Sequence, residues 1–282
     1  MRPHGRFVRL LTAVLLAVLA PGCAWLAPPP QTLPAETVAT RLQQKATDFG
    51  GLQADLRLRI SETVDGDTNK LPSLAGVLAF SATAPGMFLR AEKFTQEVFT
   101  LRALGQRFSL RLPRSNEVVV GGPFAYERLP YLVSPAEVKG AFAGPDLLGL
   151  TWPDTEMELT RSHYRFKVYV LGVLFRRVLV DRRRLVITRI ERYDSLGRLH
   201  TLIELEDYAP VGESTAPRYL LIQRRQVSYD PPLSVTVRLD LDDVEPLKEG
   251  AEALMRPRVP RGWNVVDLDR EPLSNIRALD LE

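Results

Sequence analysis

Apolar and polar residues alternate strictly along much of this chain. In residues 52–60 (LQADLRLRI), Leu52, Ala54, Leu56, Leu58 and Ile60 alternate with Gln53, Asp55, Arg57 and Arg59. That period of two belongs to a strand with one buried face. Short segments of the same kind recur at 74–83, 87–91, 97–103, 107–112 and 117–120. After a break they return at 165–171, 174–180, 185–193, 199–208, 219–229 and 234–242. Polar or glycine-bearing stretches separate them: residues 65–70 (DGDTNK) as a hairpin loop, Gly172, the polar tip Arg182-Arg183-Arg184, and Asp194-Ser195-Leu196-Gly197. The spacing predicts a mainly β (α+β) chain with about ten or eleven strands in one antiparallel sheet. A last edge element is expected within 256–268.

Two stretches depart from that period. Val38, Leu42, Ala46 and Phe49 recur every three or four residues, with Pro34 at the entry and Gly50-Gly51 at the exit, which predicts one amphipathic helix. Between Gly121 and Trp152 the alternation stops. Ser134-Pro135-Ala136-Glu137 has capping-box spacing and starts a short helix in an apolar insertion carrying Phe142, Leu147, Leu148 and Leu150. Such an insertion covers the core or closes a cavity.

The N-terminus reads as an address. Arg2, Arg6 and Arg9 precede an apolar run at 10–20 (LLTAVLLAVLA) that is too short to remain as a membrane span, so residues 1–22 are expected to be a signal peptide. Leu19-Ala20-Pro21-Gly22-Cys23 then resembles the lipobox of bacterial lipoproteins, with Pro21 as a departure from its usual pattern. That resemblance implies acylation of Cys23, the chain's single cysteine. Ala24 follows where an aspartate favours retention at the inner membrane in enterobacteria, so the expected location is the periplasmic face of the outer membrane of a Gram-negative bacterium. Pro28, Pro29, Pro30 and Pro34 make residues 23–34 an extended tether reaching about 30 Å. The folded domain would then occupy 35–269 and a C-terminal tail 270–282.

Charge changes accordingly. The formal net charge of +3 comes from the three arginines of the leader, and the remainder is close to neutral. This argues against a nucleic-acid partner. The 45% apolar content excludes a disordered chain.

No catalytic chemistry announces itself. Beyond His4 there are two histidines, His163 and His200, without ligand spacing, and neither a metal nor a cofactor is expected. A Gly-x-Ser-x-Gly elbow, a Walker loop and a dinucleotide fingerprint are all missing, so the chain is not read as an enzyme. Glu204, Glu206 and Asp207, and likewise Asp240, Asp242 and Asp243, read as solvated faces. Arg176-Arg177 and Arg182 to Arg184 read as polar tips or edge protection, or as a contact for anionic headgroups or a partner.

A resemblance joins these features. The cysteine, the helix exit Phe49-Gly50-Gly51-Leu52, the strand LQADLRLRI, Gly76-Val77-Leu78-Ala79-Phe80 and the stretch Ala84-Pro85-Gly86-Met87-Phe88-Leu89-Arg90 follow one another in an order that resembles the LolA/LolB-like superfamily, most closely its outer-membrane lipoprotein branch. The resemblance implies a single, strongly curved sheet forming an incomplete barrel, with helices on its concave side and an apolar cavity between. Members that transport lipoproteins hold acyl chains there. The corresponding cavity residues would be Leu56, Leu58, Leu78, Phe80, Leu89, Phe99, Leu101, Phe108 and Leu110. LolB-type acceptors carry an exposed apolar residue on an early loop, whereas the matching loop here, residues 65–70, is hydrophilic. The expected function is non-catalytic binding of an acyl chain or other amphiphile in lipoprotein or lipid handling, with the acyl anchor as membrane attachment. The alternative is an envelope assembly or sensor protein that uses the same scaffold to bind another envelope protein.

Overall fold

Period-two segments joined by short connections pair in space, hairpin by hairpin, because such a connection is too short to skip a neighbour. The computed structural model describes residues 31–83, 86–105, 107–122, 148–226 and 233–270. The expected leader, Cys23, most of the tether, the insertion from 123 to 147 with its expected helix start at Ser134, and the tail beyond Arg270 lie outside them, while Leu148 and Leu150 at the end of the insertion are described and buried in the core.

Helix α1 (Ala35–Asp48) leads into β1 (Gly51–Val64), β2 (Asp67–Lys70), β3 (Leu74–Ser81), β4 (Gly86–Lys93), β5 (Gln96–Leu104), β6 (Arg107–Leu112) and β7 (Glu117–Gly121). The second half comprises β8 (Thr155–Leu159), β9 (His163–Val170), β10 (Val173–Asp181), β11 (Ile187–Tyr193), β12 (Leu199–Val211), β13 (Ser214–Gln226) and β14 (Leu233–Pro246). A one-turn helix α2 (Glu252–Met255) and β15 (Asn264–Asp267) complete it. All belong to one open, curved sheet in the order β15-β7-β6-β5-β4-β3-β1-β14-β13-β12-β11-β10-β9-β8, with β2 paired to β1.

This sheet has 15 strands, so the expected ten or eleven is too few. The pattern missed the short ones. β2 (DTNK) is exposed at every position and occupies part of the expected loop, the turn shrinking to Asp65-Gly66. β8 (TEMEL) is an edge strand without a buried row. Without a buried face there is no apolar alternation to read. The sheet is also not wholly antiparallel, since β15 runs parallel to β7, with Val265 opposite Val118.

α1 forms as its pattern predicts, with Val38, Ala39, Leu42 and Ala46 buried, and Phe49 closes it through an N–H donated to the Lys45 carbonyl. Close approach elsewhere requires glycine. A Cβ on Gly76 would lie 1.9 Å from the Arg90 carbonyl oxygen, and one on Gly51 2.3 Å from that of Phe80. The close approach of β3 to β4 at Gly76 and of β1 to β3 at Gly51 leaves no room for a side chain.

Candidate functional site

One face of the sheet carries apolar rows that cross strand after strand. Register aligns Phe166, Val178, Ile190, Ile203, Ile222, Val237 and Ile60 in one row. Nearer the other end, Ala54, Leu78, Leu89, Leu101, Leu110 and Val119 form another. The nine residues expected to line a cavity, Leu56, Leu58, Leu78, Phe80, Leu89, Phe99, Leu101, Phe108 and Leu110, all lie on this inner face and in one apolar cluster, each at most 4% exposed. Alternation therefore reports their side correctly.

One end of this face, called lower because β1 starts there, is crossed by α1. Val38 and Leu42 belong to the inner cluster. Leu33 N–H donates to the Tyr164 hydroxyl at 3.0 Å, and Phe49 stacks on Phe80 with ring centroids 6.4 Å apart. Lys45 Nζ donates to the carbonyls of Arg184 (2.7 Å) and Leu185 (3.2 Å) in the β10–β11 turn. Burial holds that amine below its usual pKa, and the two carbonyls supply its hydrogen bonds.

The upper end is different. One step above the Phe166–Ile60 row, register places Val168, Arg176, Arg192, Thr201, Arg224, Val235 and Glu62 side by side on the same inner face. Arg224 is 7% and Thr201 1% exposed. The upper rim carries the bulkiest exposed apolar tips: Phe94 (90%) in the β4–β5 turn, Leu171 (96%) in β9–β10 and Leu196 (72%) in β11–β12. Arg176-Arg177, expected as one polar unit, is split by the alternation along β10: Arg176 faces inward, while Arg177 faces outward and donates to Glu191 at 2.8 Å.

The outer face is organised by paired charges. Glu191, 7% exposed, lies between Arg177 and Arg189, each 2.8 Å away, and accepts a hydrogen bond from the Tyr193 hydroxyl. Burial first, then Glu191, pushes the Tyr193 phenol up to about 12. Arg189 also reaches Glu204 at 3.4 Å, and Asp240 pairs with Arg238 at 2.8 Å and Arg59 at 3.7 Å. A hollow of about 390 Å³, lined by His163, Asp181, Arg189, Glu204, Asp207 and Tyr208 among others, opens on the lower part of this face. Arg182, expected at a polar tip, is instead 7% exposed, donates to the carbonyls of Thr160 (3.1 Å) and Arg161 (3.3 Å), and lies over the Tyr164 ring. Tertiary contacts across three turns override the local charge pattern. A second small core that the pattern did not signal also lies outside, where α2 brings Met255 against Ala79 and Phe88.

Among the described residues, no group of three or more His, Cys, Asp and Glu side chains is arranged to hold a metal ion, and no helix is long and apolar enough to cross a membrane. His163 Nδ1 lies 2.8 Å from the Ser162 hydroxyl, and His200 Nδ1 2.8 Å from that of Thr201.

No family model and no curated protein matches the sequence. Solved structures do match the fold. A DUF1329 family protein of Desulfovibrio piger superposes with a TM-score of 0.52 at 10% identity, over 79% of this chain and 95% of that one. A domain assigned to outer-membrane lipoprotein sorting in Vibrio parahaemolyticus gives 0.50 at 12%, over 79% and 100%. A LolA superfamily protein of Nitrosomonas europaea gives 0.48 at 11%, over 80% and 98%. The chain has the LolA-like fold.

Proposed function

We propose that this is a non-catalytic envelope protein that holds an acyl chain or other amphiphile against the inner face of its sheet, in lipoprotein or lipid handling on the periplasmic side of the outer membrane. The observation that carries this reading is the continuous apolar inner face, with α1 across its lower end and the upper end flanked by hairpin tips. The nine aligned residues from Leu56 to Leu110 would contact the chain. Burying eight methylenes there is worth about 6 kcal/mol, enough to keep a chain out of water. The likeness in fold to a domain assigned to lipoprotein sorting supports the same reading. Acylation at Cys23 would supply the membrane anchor.

Mass spectrometry of protein purified from membranes is the test. About one amphiphile per chain is expected after removal of bulk lipid. Protein that carries none and takes up no apolar fluorophore defeats the proposal. Labelled palmitate should enter the wild type and not Cys23→Ala.

A further inference from the structure

The hairpin turns at the two ends of the second half differ in kind. At the lower end, β8–β9 turns through Thr160-Arg161-Ser162, β10–β11 carries Arg182-Arg183-Arg184, and β12–β13 turns through Gly212-Glu213. Polar residues and glycine are what turns ordinarily use. At the upper end, β9–β10 turns through Leu171-Gly172 and β11–β12 carries Leu196, both leucines standing out in solvent. Val170, Val173, Leu199 and Trp152, the last just ahead of β8, are exposed around them. Strands β9 to β12 are consecutive neighbours in the sheet, so the two tips rise side by side, about 10 Å apart.

Neither leucine serves the fold. Val170 pairs with Val173, which leaves Leu171 and Gly172 as a two-residue turn with φ of 51° and 78°. Such a turn favours Asn-Gly, and leucine in its first place meets backbone strain and water together. The β11–β12 turn is held by Asp194, whose carboxylate accepts from the N–H groups of Leu196 and Arg198 at 2.9 Å each. Its geometry therefore does not depend on the Leu196 side chain.

Below the leucines the chemistry changes in layers. Tyr169, Phe175 and Tyr193 are half-buried two or three residues down their strands from the tips. At about 3.3 Å per residue, Leu171 stands about 7 Å above Tyr169. That matches the depth of about 5–10 Å to which interfacial segments bury their apolar side, with aromatic rings left at headgroup level. The two charges within the tips, Asp194 and Arg198, pair with each other at 2.8 Å, so no net charge would be carried in. A rigid protein would need a fitted pocket for each of these narrow, convex turns, whereas lipid closes around them without one.

We propose that the β9–β10 and β11–β12 tips insert into the surface of a lipid bilayer, with Leu171 and Leu196 leading and Tyr169, Phe175 and Tyr193 settling among the headgroups. The contact needs no anionic lipid. It is separate from the acyl anchor at Cys23 and stands whether or not the inner face holds a chain.

Cys23 is the single cysteine, so Cys23→Ala gives a full-length chain with neither anchor nor thiol, into which one labelling site can be placed. An NBD fluorophore on Leu171→Cys should shift to the blue and brighten when vesicles of dioleoylphosphatidylcholine are added, and raised salt should not reverse it. The same label on Glu213→Cys, at the lower end, should stay unchanged. Adding Leu196→Ser to the chain labelled at 171 should raise the lipid concentration for half-response about tenfold. A silent label at 171, an equal response at 213, or no effect of Leu196→Ser overturns the proposal. A label at 171 that responds to a soluble envelope extract and not to vesicles also overturns it, and makes the tip a protein contact instead.

Discussion

The backbone N–H of Leu33 donates to the hydroxyl of Tyr164 at 3.0 Å, fastening the residue two places before α1 to β9, beside the edge strand β8 and 131 positions away. Tyr164 is fully buried, so its ring fills space that phenylalanine would also fill. Tyr164→Phe should therefore lose the hydrogen bond to Leu33 with little change in packing, costing about 1 kcal/mol in urea unfolding, with the entry to α1 exchanging amide hydrogens faster than the sheet.

Gly76 and Gly50 offer a paired test of close approach. A Cβ at Gly76 meets backbone at 1.9 Å, whereas one at Gly50 has nothing within 4 Å. Gly76→Ala should cost about 3 kcal/mol or prevent folding, and Gly50→Ala should change stability by less than about 0.5 kcal/mol.

Removing the carboxylate between Arg177 and Arg189 should be costly because both guanidinium groups and the Tyr193 hydroxyl turn toward it. Glu191→Gln should lose about 3 kcal/mol in denaturant unfolding. In a double-mutant cycle, Arg177→Gln combined with Glu191→Gln should lose clearly less than the two single changes added together.

Two groups set opposite pH limits. Burial pushes the Glu97 carboxyl up, but hydrogen bonds from Arg111 and Thr100 outweigh it and hold the group below its usual 4.5. The unfolded chain then binds the proton more readily, so this contribution is complete above pH 4.5 and is lost as pH falls below it. Tyr193 behaves inversely: its pKa rises from 10 to about 12, so its contribution is complete below pH 10 and disappears as pH climbs through 12. Melting temperatures of Glu97→Gln and Tyr193→Phe should be flatter than wild type on the acid and alkaline sides respectively.

The β9–β10 turn holds Leu171 at φ 51° with its side chain 96% exposed. Asparagine tolerates that backbone far better than leucine does. Leu171→Asn should leave the fold intact and raise stability by about 0.5 kcal/mol in thermal unfolding.

Much of this molecule was legible because β1, β9, β12 and β14 bury one face and expose the other, which writes the period of two directly into the chain. α1 was legible for the corresponding reason at a period near 3.6. What escaped had no such imprint. β2 buries nothing, and β8 is an edge without a buried row, whereas β15 falls where a last edge element was expected. Met255 meets Phe88 only because α2 folds back onto the outer face, a contact that no local pattern encodes. The inner arginine row was hidden for another reason. Arg176, Arg192 and Arg224 lie on three different strands, so their alignment exists only once the register is known.

That register also governs how the molecule comes into being. The hydrogen bond from Gln53 to Glu245 spans 192 positions, and the whole length of β1 waits for β14 as its neighbour. Apart from β15 on β7, and β3 on β1 across the short β2, every other strand pairing of the main sheet joins neighbours in sequence, so the two halves can assemble as local hairpins before they meet. The seam closes last, and its loop-closure entropy places folding in the slow regime of about milliseconds to seconds. Until residue 246 is available, the first half has an open edge along β1 next to its most apolar surface, which makes that interval the one most exposed to aggregation.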